Sequence, residues 1–266
     1  MTIRVCVAGA TGWTGSAVTS AILGSSDFQL VGAMARRQAG VDVGQALGQG
    51  RANVTIVSTL EEALAVPTDV LIDYTGPEVV KEHILTALDR GVSVVVGTSG
   101  LTASDYTDIE QYAQARTLGV IAAGNFSITA ALAKHFSLIA AHYLPSWEII
   151  DYASAAKIDA PSGTTRELAE ELAAISQNHL EVALEQTHGP KEARGATIDG
   201  TQVHSIRLPG YVIAFETLFG LPDERLSIRH DAGSGAQPYV SGTLLAARKV
   251  LEVRGLVRGL DRLLFQ

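Results

Sequence analysis

One short segment carries much of the polar chemistry in this sequence. Lys157 is followed after four residues by Ser162, Gly163 and Thr164, between a predicted strand and a predicted helix. Backbone N–H groups and two hydroxyls at a helix N-terminus form an anion-binding arrangement, and a lysine beside them adds a mobile cation. The segment therefore predicts a site for a substrate carboxylate. The spacing is equally compatible with Ser162 as an N-cap and Lys157 as a surface charge.

A glycine-rich loop near the start of the chain suggests a second kind of chemistry. Glycines between a strand and a helix allow a tight turn and a close approach of the backbone to a pyrophosphate, whose charge the helix N-terminus stabilises. The GxxGxxG spacing is weak alone and also fits an ordinary turn, but the surrounding strand–helix alternation favours a dinucleotide. The residues predicted to bind it here are Gly9, Thr11, Gly12, Trp13, Thr14 and Gly15.

The end of the second predicted strand indicates which dinucleotide is preferred. Arg36 and Arg37 follow this strand, and no carboxylate appears until Asp42. An acidic residue here would bind the ribose hydroxyls of NAD, whereas arginines accommodate the additional phosphate of NADP. We therefore predict NADPH as the cofactor, with NADH possible. The alternative is that one or both arginines are merely solvated loop charges.

Three later loops complete the predicted cofactor site, and the third of them, at Asn125 and Phe126, is predicted as a hinge between domains, a cofactor contact or both. Small and hydroxyl residues follow further predicted strands, where open α/β sheets bind their ligands. Such residues leave room for a nicotinamide ring and offer hydrogen-bond partners to its ribose and carboxamide. The residues chosen for this role are Tyr74, Thr75, Gly97, Thr98, Ser99, Asn125 and Phe126.

The elements that position these residues change in character along the chain. Apolar, β-branched runs alternate with helical stretches in the first half, which predicts a parallel, Rossmann-like sheet buried on both faces. Longer strands joined by Pro/Gly turns follow and predict an α+β domain with a mostly antiparallel sheet. We assign residues 1–126 to a dinucleotide-binding domain, to which a C-terminal helix, 239–266, returns. Residues 127–238 form a substrate-binding and oligomerisation domain, and the cleft between the domains is the expected site.

Composition excludes several other classes of protein. The chain has 266 residues, 47% hydrophobic and 18% charged, with a formal net charge of −8, which disfavours global disorder and nucleic-acid binding. Its single cysteine, the lack of a targeting segment and the lack of a membrane-spanning apolar run predict a cytoplasmic protein. Its seven histidines show no metal-ligand spacing, so no metal site is predicted.

Together these motifs resemble the dihydrodipicolinate reductase family, the NAD(P)H-dependent enzymes of bacterial lysine synthesis. The resemblance covers nearly the whole chain. It implies a two-domain reductase, usually a homotetramer, that contacts a substrate carboxylate through Lys157, Ser162, Gly163 and Thr164. The segments that carry the resemblance are Gly9–Gly15, Asp73–Pro77, Val96–Gly100, Asn125–Ser127, Glu148–Ile150, Lys157–Thr164, Ile206–Gly210 and Ile228–Asp231.

The sequence departs from this family at the position of its general acid. The family normally has two adjacent histidines before the lysine, where this sequence has Ala153 and Ser154. Neither Ala155 nor Ala156 supplies a polar replacement. A second departure is Gly233–Pro238, which lacks the arginine that the family tends to carry.

These departures shape the predicted reaction. A protonated iminium accepts hydride and becomes a neutral amine, so reduction of a basic C=N bond needs no further acid, and Tyr152 and Lys157 remain as local proton donors and catalytic candidates. We predict an NADPH-dependent reductase of a cyclic imine whose substrate differs from the lysine precursor. The alternatives are a genuine dihydrodipicolinate reductase, an amine dehydrogenase, or a non-catalytic NADPH-binding sensor.

Overall fold

The computed structural model describes residues 2–265, which divide into two compact units. The first unit runs to Ile128 and resumes at Ala236, and the second is Thr129–Gly235. The roles assigned to residues 1–126 and 127–238 from the sequence stay predictions. Within the described chain, no helix is both long and apolar enough to cross a membrane.

The strands of the described chain, numbered in order, form two sheets. They are β1 (Ile3–Ala8), β2 (Phe28–Met34), β3 (Ile56–Val57), β4 (Val70–Asp73), β5 (Ser93–Val96), β6 (Gly119–Ala122), β7 (Ser146–Ala153), β8 (Ala196–Ile198), β9 (Thr201–Arg207), β10 (Ile213–Leu221), β11 (Glu224–Asp231) and β12 (Gly255–Arg258).

The α-helices of the described chain are numbered in the same way. They are α1 (Trp13–Leu23), α2 (Val43–Ala46), α3 (Leu60–Ala63), α4 (Val80–Asp89), α5 (Ala103–Arg116), α6 (Ile128–Ala141), α7 (Gly163–Ile175), α8 (Gln237–Lys249) and α9 (Asp261–Leu264).

The first unit contains a seven-stranded parallel sheet. Its strand order is β12-β6-β5-β4-β1-β2-β3, and every neighbouring pair is parallel. β4, β5 and β6 are buried along their whole length, as their continuous apolar runs predicted. The strand order reverses between β1 and β4, and open α/β sheets bind ligands at the carboxyl ends of strands beside such a point. The predicted Rossmann-like architecture is confirmed.

The C-terminal region differs from the single helix predicted for residues 239–266. Helix α8 ends at Lys249, and residues 255–258 form strand β12, which pairs in parallel with β6. Gly255 has a φ of +88°, a conformation that favours glycine and redirects the chain into the strand. Leu256 then packs against the core of the unit. The prediction of one continuous helix was therefore wrong beyond residue 249, where strand β12 and the separate short helix α9 follow.

The second unit contains a five-stranded mixed sheet in the order β11-β10-β7-β9-β8. Three of its four neighbouring pairs are antiparallel, and β7 and β9 run parallel. One face packs against α6 and α7 through a core that includes Trp147, Ile149, Phe215 and Phe219. Since side chains alternate along a strand, the residues between these point to the opposite face. The mostly antiparallel second sheet predicted from the sequence is confirmed.

Candidate active site

The turn between β1 and α1 depends on two glycines at fixed positions. Gly9 has a φ of +82°, and a β-carbon there would overlap the carbonyl oxygen of Tyr74. A β-carbon on Gly15 would overlap the carbonyl oxygen of Gly9. The spacing of Gly9 and Gly15 thus reflects close backbone packing at the tight turn that the sequence predicted.

A cavity of about 760 Å³ opens above this turn. Helix α1 begins after Gly12 with no side-chain cap, so its first N–H groups are left for a ligand. Open helix N-termini of this kind bind phosphate groups, and the cavity volume suits a dinucleotide. The residues present therefore fit an NAD(P)H cofactor, which would supply a hydride. Seven of the predicted cofactor residues line the cavity: Gly9, Thr11, Gly12, Arg36, Arg37, Tyr74 and Thr75.

Acidic side chains from later parts of the chain also line this cavity. Arg36 and Arg37 follow β2, as predicted, but Glu61, Glu78 and Glu82 approach from later elements. The Nη1 atom of Arg36 lies 3.9 Å from the Oε1 atom of Glu78, and both side chains are largely exposed. The local absence of carboxylates after β2 therefore does not describe the charge of the cavity.

A fully buried carboxylate, Asp73, joins the loops that follow β4 and β5. Its Oδ1 atom accepts hydrogen bonds from the Thr75 backbone N–H (3.0 Å) and from the hydroxyls of Thr75 and Thr98 (2.7 Å each). Its Oδ2 atom pairs with Nδ1 of His83 at 2.8 Å. Thr75 and His83 line the cavity, so Asp73 fixes part of its wall from behind. Asp73 and His83 were not among the predicted site residues.

Tyr74 lines the cavity, and contacts with its neighbours hold its side chain in place. Its hydroxyl forms a 2.6 Å hydrogen bond with Thr243, and burial raises the pKa of Tyr74. The ring makes an edge contact with Phe126, and a β-carbon on Gly97 would overlap it. Phe126 and Gly97 thus support Tyr74. The predicted cofactor residues that do not line this cavity are Trp13, Thr14, Gly15, Gly97, Thr98, Ser99, Asn125 and Phe126.

The second unit contains another fully buried carboxylate, Asp151 of β7, at the start of α7. The Ser162 hydroxyl donates to Oδ1 of Asp151 at 2.7 Å and the Ser162 N–H donates to Oδ2 at 3.0 Å. The hydroxyl of Thr165 donates to Oδ1 at 3.0 Å, and Nη2 of Arg207 donates to Oδ2 at 2.7 Å. These contacts tie the first turn of α7 to the sheet.

The charge of Asp151 is stabilised despite its burial. Desolvation by itself would raise the pKa of this carboxyl, but the hydrogen bonds of Ser162 and Arg207 outweigh it and hold the pKa below its usual value. Nη2 of Arg207 also donates to the carbonyl of Asp159 at 2.7 Å, so the same cation holds the loop before α7.

Four residues are predicted to contact the substrate carboxylate. Two of them, Gly163 and Thr164, place backbone N–H groups at the start of α7. The N–H groups of Gly163 and Thr164 are in the first turn, and a β-carbon on Gly163 would meet nothing within 4 Å. Lys157 is partly exposed nearby in the chain and forms a 2.7 Å ion pair with Asp159. The Ser162 hydroxyl is buried, caps α7 and donates to Asp151, so its observed contacts are those of the structural interpretation.

The structure does not bring Tyr152 together with this segment. Tyr152 follows Asp151 on β7, so its side chain points to the opposite face of the sheet. There its hydroxyl donates to Oε2 of Glu216 at 3.1 Å, and burial together with this hydrogen bond raises the pKa of Tyr152. Tyr152 was predicted as a proton donor because it is close to Lys157 in the sequence. Alternation of side chains along the strand directs it to the other face of the sheet. We therefore assign Tyr152 no catalytic role.

Comparison with known proteins identifies the family. Residues 3–126 match the model of the dihydrodipicolinate reductase N-terminus, and residues 125–264 match that of its C-terminus. The chain belongs to the dihydrodipicolinate reductase family. It is accordingly an NAD(P)H-dependent oxidoreductase that acts on a C=N bond.

Individual relatives cover almost the whole chain. The 4-hydroxy-tetrahydrodipicolinate reductase of Moorella thermoacetica is 41% identical over 99% of this chain and 98% of its own length. That of Desulfitobacterium hafniense is 38% identical over 98% of both chains. A solved structure of dipicolinate-bound dihydrodipicolinate reductase from Paenisporosarcina sp. TG-14 superposes with a TM-score of 0.82 at 32% identity, covering 98% of this chain and 99% of that one.

The segment before Lys157 differs from the histidine pair that the family resemblance predicts. Ala153 is fully buried at the end of β7. The Ser154 hydroxyl accepts a hydrogen bond from the N–H of Ala156 at 3.4 Å, and Ala155 and Ala156 are exposed. No side chain in residues 153–156 titrates, so Lys157 is the first residue of this loop that could move a proton.

Proposed function

We propose that this protein reduces the C=N bond of the cyclic dicarboxylic imine of lysine synthesis, 4-hydroxy-tetrahydrodipicolinate, with NADPH as the preferred hydride donor. The observation that carries this proposal is the Lys157–Thr164 segment, held against the sheet by Asp151. Relatives similar to this chain over nearly its whole length carry that substrate in their names, which favours the lysine-pathway alternative over an altered substrate.

In this proposal the start of α7 binds a substrate carboxylate. The N–H groups of Gly163 and Thr164 would donate to its oxygens, and open space at Gly163 gives the carboxylate access. Lys157 would exchange its exposed partner Asp159 for the substrate, which costs little because exposed ion pairs are weak. Ser162 would act indirectly, by fixing the first turn of α7.

The proton of the reaction needs a source other than histidine. A protonated iminium accepts hydride at carbon, the electron pair of the C=N bond moves to nitrogen, and a neutral amine results without an added proton. If the imine binds in neutral form, Lys157 is the local donor, and its ammonium would be restored from water. Two observations support the altered-imine alternative: residues 153–156 have no titratable side chain, and Gly233–Pro238 lacks the arginine of the family resemblance.

We also propose that the protein forms a homo-oligomer, a tetramer by family resemblance, through the second sheet. The face opposite α6 and α7 presents partly buried apolar side chains, Ile150, Ile206 and Leu218. Glu148 lies beside them and pairs with His204 at 2.7 Å. An apolar strip bordered by polar pairs suits a second copy of the same surface. The molar mass from light scattering tests this, and a monomer at micromolar concentration would contradict it.

The first experiment is NADPH consumption by the purified protein. The lysine precursor is generated in situ and compared with cyclic imines that have and lack carboxylates. We expect turnover of the precursor. Turnover confined to other imines would replace the proposal by the altered-substrate alternative, and NADPH binding with no turnover on any imine would indicate a sensor.

The carboxylate role predicts a selective effect of Lys157→Ala. Losing a charge-assisted hydrogen bond should raise the KM for a carboxylated substrate about 10- to 100-fold. The KM for NADPH should stay within about twofold, because Lys157 does not line the proposed cofactor cavity. A twofold change corresponds to a free-energy change of less than about 0.5 kcal/mol. Lys191→Ala, at an exposed lysine in the same unit, is the matched control. Unchanged kinetic parameters in Lys157→Ala would show that the carboxylate binds elsewhere.

A further inference from the structure

The cavity of the first unit has a charge pattern that the two arginines alone do not explain. Two guanidinium groups and three carboxylates line it, and Glu78 is the carboxylate that lies within ion-pair distance of Arg36. Glu78 precedes α4, about forty residues after Arg36 in the chain. The fold therefore places an acidic side chain against a guanidinium that follows β2, where the ribose selectivity of this fold is usually set.

The Glu78 carboxylate lies close to the backbone of Gly76. A β-carbon on Gly76 would lie 2.5 Å from Oε2 and 2.7 Å from Oε1 of Glu78, so the carboxylate rests in the space that a side chain would fill. Gly76 also lines the cavity. Glycine at this position leaves room for the carboxylate beside the cavity.

The pair is open enough to respond to a ligand. The Arg36 side chain is 87% exposed and that of Glu78 is 57% exposed, and their closest atoms are 3.9 Å apart. An exposed pair of this kind contributes little stability, so a ligand phosphate could take over Arg36 at small cost. A carboxylate left beside that phosphate would repel it, whereas it would accept a hydrogen bond from a ribose hydroxyl.

We propose that Glu78 is a specificity-determining residue, which limits the preference of this cavity for NADPH and favours use of NADH. In the free protein the Glu78 carboxylate lies within ion-pair distance of Arg36. A ribose 2′-hydroxyl donates to the Glu78 carboxylate, while a 2′-phosphate must displace it from Arg36. The inference rests on the proposed cofactor site. It adds a residue, Glu78, that counteracts the preference for NADPH attributed to Arg36 and Arg37.

Direct binding tests this without any imine substrate. NADPH and NADH are titrated against wild type, Glu78→Gln and Glu62→Gln by following quenching of tryptophan fluorescence. Glu62 is exposed on α3, does not line the cavity, and its substitution changes the net charge equally. Glu78→Gln should raise the ratio of NADPH to NADH affinity about threefold to fivefold, the upper part of the range for an exposed charge pair. Glu62→Gln should leave the ratio within about twofold.

A second ligand locates the effect at the 2′-position. Adenosine 2′-monophosphate, used as a competitor of NADPH, should bind Glu78→Gln more tightly than wild type by a similar factor. The gain should shrink in 0.5 M salt because exposed charges are screened.

Failure of the inference differs from failure of the proposed function. If wild type binds both dinucleotides but the affinity ratio is the same in Glu78→Gln, Glu78 does not determine specificity. A gain for NADPH without one for adenosine 2′-monophosphate would also overturn the inference. If wild type binds neither NADPH nor NADH, the cofactor site itself is wrong.

Discussion

Each unit holds a fully buried aspartate in a strand, and the two differ in the cation that faces them. Asp151 of the second unit is paired with Arg207, a permanent charge, at 2.7 Å. Asp73 of the first unit is paired with His83, whose charge depends on protonation, at 2.8 Å. Both carboxylates also collect hydroxyl and backbone donors from the loops they organise.

The difference indicates at which of the two positions the negative charge can be removed without unfolding the protein. Asp151 must stay ionised, because Arg207 remains charged and largely buried whatever the pH. Asp73 faces no permanent cation among the described contacts, so a neutral acceptor of the same shape can replace it. We therefore expect Asp151 to be mainly a stability determinant, and Asp73 to be mainly a determinant of cofactor binding.

The largest effect should come from Asp151→Asn. This change leaves Arg207 without its carboxylate and should lower the free energy of unfolding by roughly 3 kcal/mol. Urea unfolding followed by fluorescence measures the loss. Asp223→Asn, in an exposed turn of the same unit, is the control and should change stability by less than about 0.5 kcal/mol.

The pH dependence of this loss tests its electrostatic origin. The pKa of Asp151 is lower in the folded protein than its ordinary value of 3.8. Its ionised form therefore stabilises the fold above that value, and the stabilisation is lost as the pH falls through the folded pKa. The gap between wild type and Asp151→Asn should be constant at pH 5–7 and shrink below about pH 4. A gap that is independent of pH down to 3 would point to packing as its cause.

Those parts of the fold that depend on local pattern were predictable from the sequence. Continuous apolar runs predicted β4, β5 and β6, and Gly9 and Gly15 marked the tight turn after β1. Strand β12 was not predicted, because a strand of four residues that begins at a glycine carries too little periodicity to distinguish it from the end of a helix.

The candidate site was predictable only where its residues are neighbours in the chain. Asp151 meets Arg207 across 56 positions, and Glu78 meets Arg36 across about forty, so neither pair leaves a local pattern. Tyr152 was chosen for its closeness to Lys157, but side chains alternate along β7 and direct it to the other face. Such pairings are set by strand order and register, which short motifs do not encode.

A smaller effect on stability, with a clear effect on the cofactor, is expected for Asp73→Asn. The amide oxygen can still accept hydrogen bonds from Thr75 and Thr98, so the free energy of unfolding should fall by only about 1 kcal/mol. Loosening of the loops after β4 and β5 should weaken NADPH binding about threefold to tenfold, equivalent to roughly 1 kcal/mol. Asp69→Asn, which removes the Arg4 partner before β4 begins, provides the comparison. If Asp69→Asn weakened NADPH binding equally, the effect of Asp73 would be general destabilisation of the sheet.

The smallest effect on stability should come from Gly163→Ala. This substitution tests ligand binding by the second unit without disturbing its fold. A β-carbon at this position meets no atom within 4 Å, and alanine is tolerated in the first turn of a helix. The free energy of unfolding should change by less than about 0.5 kcal/mol. Because the new methyl group would project towards the proposed carboxylate, the KM for the carboxylated substrate should rise, though less than in Lys157→Ala. If KM is unchanged as well, the carboxylate does not approach the start of α7, and the buried network of Asp151 serves stability alone.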